Sequence, residues 1–265
     1  MDGSRVILAA HRGDKFNYPE NTMPAFESAI ELGCDMIETD VRMTRDGVLV
    51  LIHDRSTLRT TGVESFVDEL TYDELCELDA GATFEKKFEE KIKVPTVREF
   101  MERIKNEKIL VNWELKVYPK DFSDEIAFGI ADRLIEMIYE FGLETRSMMN
   151  SFSDRVMEYV YTKHGDRFPI HGQGINKCRK TKDEPSLDEK DFFDWCCLYP
   201  NEKGHAAIEY KENFDYCVEN GIIPCICVKD ELEVYKTAIE YGCRMFTSNN
   251  VEEGHRVLCA LGVRK

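Results

Sequence analysis

The 265-residue chain has no apolar run approaching the roughly 20 residues that cross a bilayer. Its start, Met1 to Ala10, passes from a short polar lead into the strand-like VILAA with no small-residue cleavage site, so export is not expected. Positive charge is also scarce. The 35 Lys and Arg stand against 51 Asp and Glu, a formal charge of −16, which argues against a nucleic-acid backbone as the main partner. A small phosphate ligand stays open, because a few local cations or one metal ion hold it. The ten cysteines contain no C-x-x-C pair, and neither Cys196-Cys197 nor Cys225/Cys227 has structural-zinc spacing. Without a leader they are expected to remain thiols in a reducing cytoplasm. No G-x-G-x-x-G follows the first strand candidate, so a dinucleotide fold has no support.

What is present reads as one soluble globular domain over residues 1–265, with 43% hydrophobic and 32% charged residues. Short β-rich runs alternate with helical patterns. Strands are expected at Val6–Ala10, Met36–Val41, Val48–Ile52, Ile109–Leu115, Ser147–Asn150, Phe168–Ile170, Cys196–Tyr199, Ile222–Val228 and Arg244–Thr247. Helices are expected at Pro24–Leu32, Val97–Lys105, Ser123–Phe141, Asp154–Lys163, Ala206–Asn220, Glu231–Tyr241 and Val251–Leu261. Alternation at this length predicts an α/β fold, a (β/α)8 TIM barrel. Gly33–Asp40 and Gly242–Asn249 echo each other as a helix end running into a strand. A polar insertion at about 55–94, with one helical piece near Tyr72–Leu78, follows the strand that carries His53-Asp54. At the barrel mouth it reads as a lid or substrate loop.

Four clusters fall at the ends of predicted strands, where barrel active sites lie. They are His11-Arg12-Gly13 followed by Glu20-Asn21-Thr22, then Glu38-Thr39-Asp40, His53-Asp54, and Glu114-Leu115-Lys116. Residues two apart on a strand share a face, so Glu38 pairs with Asp40 and Glu114 with Lys116. Three carboxylates converging at a mouth need a cation between them. All-oxygen ligands select a hard divalent ion, Mg²⁺ or Ca²⁺. Two imidazoles can move protons near neutral pH, while Arg12 and Lys116 suit phosphate oxygens. Of the other histidines, His171 ends a strand and could face the mouth; Met148-Met149 and the phenylalanines read as core.

The residues resemble the glycerophosphodiester phosphodiesterase family. The resemblance is carried by AHRG (Ala10–Gly13), PENT (Pro19–Thr22), GCDMIETDV (Gly33–Val41), DGVLVLIHD (Asp46–Asp54), LRTTG (Leu58–Gly62), LDAG (Leu78–Gly81), VPT (Val94–Thr96), WELK (Trp113–Lys116) and NSF (Asn150–Phe152). It implies a barrel with a small insertion and hydrolysis of a glycerophosphodiester to an alcohol and sn-glycerol 3-phosphate. It further implies His11 and His53 as the acid/base pair, Glu38, Asp40 and Glu114 as metal ligands, Arg12 and Lys116 as phosphate binders, and Glu20 and Asn21 as supports of the first loop. The expected partner is a small glycerophosphodiester, with neither nucleic acid nor a stable membrane anchor. Alternatives on the same barrel are a phospholipase-D-like enzyme on another phosphodiester and a catalytically silent binding protein. The second half departs from the family pattern. Cys225-Ile226-Cys227-Val228-Lys229 replaces a Val-Trp-Thr-Val-Asn stretch on the seventh strand, and Ser248-Asn249 replaces Thr-Asp before a Pro. Every expected catalytic residue precedes these changes, so they bear on glycerol recognition.

Overall fold

The strand runs in this chain alternate apolar side chains toward two different surroundings, and a closed barrel satisfies both. The computed structural model describes residues 3, 5–181, 183–228 and 230–264. Its strands are β1 (Ile7–His11), β2 (Met36–Met43), β3 (Leu49–Leu51), β4 (Leu110–Leu115), β5 (Ser147–Ser151), β6 (Ile170–Gln173), β7 (Trp195–Leu198), β8 (Ile223–Val228) and β9 (Met245–Ser248). Eight of them are parallel and close through the β1–β2 and β1–β9 pairs. The expected (β/α)8 TIM barrel is the fold.

One strand departs from the expected parallel alternation. β3 pairs antiparallel with β2, Val41 opposite Leu51 and Met43 opposite Leu49, and lies outside the ring. The link between these strands, Thr44 to Val48, is too short for the crossover that parallel strands need. Gly47 takes φ 83°, its N–H donates to the Thr44 carbonyl, and Thr44 Oγ1 donates to Asp46 at 2.6 Å. The hairpin returns the chain toward the mouth from above, and the Ile52 N–H donates to the Asp40 carbonyl. His53 is thereby delivered beside β2 by a returning strand. Strand β6 also begins later than expected, after Pro169, which has no N–H to give a neighbour.

Helices α1 (Met23–Glu31), α2 (Leu58–Thr61), α3 (Tyr72–Cys76), α4 (Val97–Ile104), α5 (Asp124–Glu140), α6 (Asp154–His164), α7 (Glu189–Phe192), α8 (Lys211–Glu219), α9 (Leu232–Glu240) and α10 (Val251–Ala260) follow the strands. Thr96 caps α4 by bonding the Glu99 N–H while Glu99 answers to the Thr96 N–H, the pattern that stops fraying at a first turn. Helix α8 starts later than its sequence pattern suggests because Ala207–Glu209 form a 3₁₀ turn. The outward strand faces and the helices make the main core, in which Trp113 meets Phe100 edge-on and donates from Nε1 to Ser147.

Inside the barrel the floor is apolar, with Ile7, Ala9, Met36, Met148, Trp195, Cys197, Cys225 and Met245 in contact. Above it the same strand faces turn polar: Glu38, Asp40, Asn112, Glu114, Asn150, His171, Gln173 and Thr247, all buried. Buried polar groups cost stability unless partnered. A layer of them on top of a packed floor therefore marks the mouth as the functional end. The insertion has its own small core, Val67, Leu75, Ala80 and Val94 against Val50 and Ile52 of the hairpin.

Candidate active site

The first loop sets the scaffold. Arg12 and Asn21 have positive φ (62° and 54°), unusual for residues with a Cβ and seen where surrounding bonds over-determine the chain. The Arg12 N–H donates to the Glu38 carbonyl at 2.9 Å and to Glu38 Oε2 at 3.1 Å. Asn21 returns its N–H to the Arg12 carbonyl. Gly13 is required between them, because a Cβ there would sit 2.8 Å from the Ala25 carbonyl carbon. Asn21 then binds the β2 end: its Nδ2 donates to Asp40 Oδ2 at 2.7 Å, and its Oδ1 accepts from Thr39 Oγ1 at 2.8 Å.

Glu38, Asp40 and Glu114 converge, each offering an oxygen within 4.8 Å of the others, and all three are buried. Lys116 Nζ donates to Glu114 and lies 3.2 Å from Asp40 Oδ1. Arg12 Nε lies 3.2 Å from Asp40 Oδ2. Burial alone would raise the Asp40 carboxyl, but Lys116 and Arg12 outweigh it and hold Asp40 well below the usual carboxylate range. Glu38 goes the other way. Burial, then the neighbouring Asp40 and Glu114 charges, push it well above its ordinary value. Its Oε1 is buried with no hydrogen-bond partner. Three clustered carboxylates, one of them pushed above its ordinary value by burial and by the other two and carrying an orphaned oxygen, fit a hard divalent cation. The donor set holds no sulfur or imidazole among the described residues.

The two expected histidines flank this cluster. His11 Nδ1 lies 2.6 Å from Asn249 Oδ1, and its Nε2 is 3.8 Å from Glu38 Oε2. Lys15 Nζ also approaches Nδ1, at 3.3 Å, but the shorter contact is to the amide oxygen, which only accepts, so Nδ1 carries the hydrogen and Nε2 presents a lone pair. Burial, then the charges of Arg12 and Lys15, lowers the His11 pKa to about 3. It is therefore a neutral imidazole at pH 7. His53 Nδ1 lies 2.6 Å from Asp54 Oδ1, which leaves Nε2 for the cavity. Asp54 is held below the usual range by that contact, against the effect of burial, and by Arg59.

All seven residues expected to bind metal, phosphate or protons (His11, His53, Glu38, Asp40, Glu114, Arg12 and Lys116) meet here. Apart from Asp40, which is fully buried, each lines one cavity of about 180 Å³. Glu20 and Asn21 stand behind it, Glu20 bonded to Arg12 Nη1 at 2.9 Å. His171 lies deeper, its Nδ1 2.9 Å from Asn112 Nδ2 and its Nε2 3.1 Å from Cys225 Sγ, so both ring nitrogens are engaged at the cavity floor. Cys227 lines the cavity beside it, and Ile226 faces the outer core instead. Lys229 lies outside the described residues.

Four contributors carry no role in the sequence reading. Buried Arg42 donates from Nε to the His53 carbonyl at 2.9 Å and from Nη1 to the Lys116 carbonyl at 3.3 Å, fixing two strand ends at once. Its parity with Glu38 and Asp40 on β2 was the available signal. Asp54 bonds its sequence neighbour, so the His53-Asp54 pair was itself the signal, whereas Arg59 and Asn249 act through contacts that no local pattern carries.

A family model described as the glycerophosphoryl diester phosphodiesterase family matches residues 11–189. A protein of Caldanaerobacter subterraneus named glycerophosphodiester phosphodiesterase is 43% identical over 153 residues, 56% of this chain and 59% of that relative. One of Bacillus altitudinis with the same name is 40% identical over 152 residues, 55% of this chain and 57% of its own. The matched stretch thus spans less than two thirds of either relative. Two crystal structures of proteins named glycerophosphodiester phosphodiesterase share the fold. That from Parabacteroides distasonis superposes with TM-score 0.77 at 19% identity, covering 98% of this chain and 100% of that one. That from Agrobacterium tumefaciens gives 0.73 at 20%, covering 94% and 98%. Likeness at such identity speaks for the barrel alone; the family model, spanning most of the chain from His11 to Glu189, places the protein in the glycerophosphoryl diester phosphodiesterase family.

Proposed function

We propose that this protein is a metal-dependent phosphodiesterase that hydrolyses glycerophosphodiesters to an alcohol and sn-glycerol 3-phosphate. The observation that carries the reading is the convergence of two histidines, two cations and a cation-fitting carboxylate cluster on one small cavity. Glu38, Asp40 and Glu114 would hold Mg²⁺ or Ca²⁺, which supplies Lewis-acid stabilisation of charge on the phosphoryl oxygens. Arg12 and Lys116 neutralise the same oxygens, Arg12 as a planar fork and Lys116 as a point charge. His11, neutral and presenting Nε2, accepts the proton of the nucleophile. His53, oriented by Asp54, gives a proton from Nε2 to the leaving oxygen. The nucleophile is either the glycerol hydroxyl next to the phosphorus, giving a cyclic phosphate that water then opens, or water itself.

Product analysis tests the reading. With glycerophosphocholine and glycerophosphoethanolamine, the expected products are choline or ethanolamine and glycerol 3-phosphate. Release of glycerol and a phosphorylated alcohol would point to cleavage of the other ester bond and overturn the assignment. Among the described residues no helix is long and apolar enough to cross a membrane.

Asn249 gives a pH-dependent prediction. Its amide oxygen orients His11 without adding negative charge. Asn249→Asp places a carboxylate on Nδ1, which favours the imidazolium and raises the His11 pKa. A base must be deprotonated to act, so the acid limb of kcat/KM, which the lowered His11 pKa sets well below neutrality, moves to higher pH. A pH–rate profile that superposes on wild type would remove His11 from the base role.

A further inference from the structure

The insertion sends one side chain back into the site. We propose that Arg59 is a positioning residue that ties the proton-donating side of the site to its phosphate-binding side; the inference rests on the phosphodiesterase reading above. Arg59 opens outward from α2, with Nη1 donating to Glu20 Oε2 at 2.9 Å and Nη2 to Glu20 Oε1 at 2.6 Å. Its Nε donates to Asp54 Oδ2 at 2.5 Å. Each of those carboxylates uses its remaining capacity on a proposed functional group. Asp54 Oδ1 takes His53 Nδ1, and Glu20 Oε1 also accepts from Arg12 Nη1, whose Nε lies against Asp40. One guanidinium thus sits at the centre of an unbroken chain running His53, Asp54, Arg59, Glu20, Arg12, Asp40.

The backbone under Arg59 is itself held. Thr83 Oγ1 donates to the Arg59 carbonyl at 2.7 Å and the Thr60 carbonyl at 3.1 Å, and Gly62 ends α2 in the left-handed region at φ 73°. An isolated ion pair this exposed adds little to stability. Its value here is geometric. Removing Arg59 leaves Glu20 and Asp54 as neighbouring carboxylates with no shared counter-charge, so Asp54 is free to turn to solvent and His53 loses its anchor. Small misplacements of a proton donor cost about 10²-fold in rate. Lysine cannot substitute, because a point charge on a flexible stem does not make a fork and a third bond together.

The test uses the whole protein and glycerophosphocholine. Arg59→Ala and Arg59→Lys are expected to lower kcat by about 10- to 10²-fold, with KM changing less. The melting temperature should stay within a few degrees of wild type, and added guanidinium should restore part of the Arg59→Ala turnover. In a double-mutant cycle, Arg59→Ala with Asp54→Asn should lose little more than the worse single variant. If Arg59→Ala does not fold, Arg59→Lys and the guanidinium response of Arg59→Gln carry the result. Turnover within twofold of wild type, or strictly multiplicative losses in the cycle, would overturn the proposal. A wild-type protein that hydrolyses no glycerophosphodiester would instead overturn the reading on which it rests.

Discussion

Replacing His11 by alanine should lower kcat for glycerophosphocholine by about 10²- to 10⁴-fold, the usual scale for losing a general base. The expectation rests on its surroundings more than on its identity. Burial and the flanking cations Arg12 and Lys15 keep the ring neutral, and Asn249 turns Nε2 toward the cavity. Few contacts depend on the side chain, so the fold should survive, and His11→Asn offers a variant of similar volume. His53→Ala should fall in the same range, with one difference. Its loss should shrink for a substrate with a good leaving group such as bis-p-nitrophenyl phosphate, since p-nitrophenolate needs no proton. The His11 loss should persist there. Equal losses on both substrates for both variants would contradict the division of labour between base and acid.

Glu38→Gln should lower turnover by about 10²- to 10³-fold, equivalent to several kcal/mol of transition-state charge stabilisation. It should also raise the stability of the metal-free protein. In the absence of a cation, buried Glu38 is pushed up by burial and by the charges of Asp40 and Glu114. A carboxyl with a raised folded-state pKa opposes folding as pH climbs above its unfolded value of about 4.3, because the folded state must then ionise it in a buried site beside two other carboxylates. A neutral isostere removes that penalty. Chemical denaturation of metal-free protein at pH 8 should show Glu38→Gln more stable than wild type, with the gap closing toward pH 4. Adding Mg²⁺ or Ca²⁺ should stabilise wild type, by about 2.7 kcal/mol at 100 times Kd, and leave the variant almost unmoved. A less stable Glu38→Gln variant in the metal-free state would mean that Glu38 is a structural hydrogen-bonding group and not a ligand awaiting its cation.

Much of this architecture was legible because barrels repeat a simple rule. Apolar runs alternating with helical stretches gave the staves, and the polar residues that end those runs gave the mouth. Glu38 with Asp40, and Glu114 with Lys116, were readable as same-face pairs because strand parity is local. The direction of β3 was not read, although the short Asp46-Gly47 link already required a hairpin: periodicity reports a strand and is blind to which way it runs. Asn249 looked like a departure from the family pattern, and only the closure of β9 on β1 brings it to His11, 238 residues away in sequence. Arg59 sat in a motif with no assigned task, because its partners Glu20 and Asp54 come from a different loop and from the end of β3. Contacts of this kind follow from closure and hairpin geometry, which composition and spacing do not encode.

The central claim is that a divalent cation held by Glu38, Asp40 and Glu114 makes this acidic barrel a hydrolase for an anionic ester. Glycerol 3-phosphate release from glycerophosphocholine, followed with purified protein before and after EDTA and again after adding Mg²⁺ or Ca²⁺, tests it directly. The account predicts that turnover collapses with the chelator and returns with one of the two ions. Turnover unchanged by EDTA would contradict it.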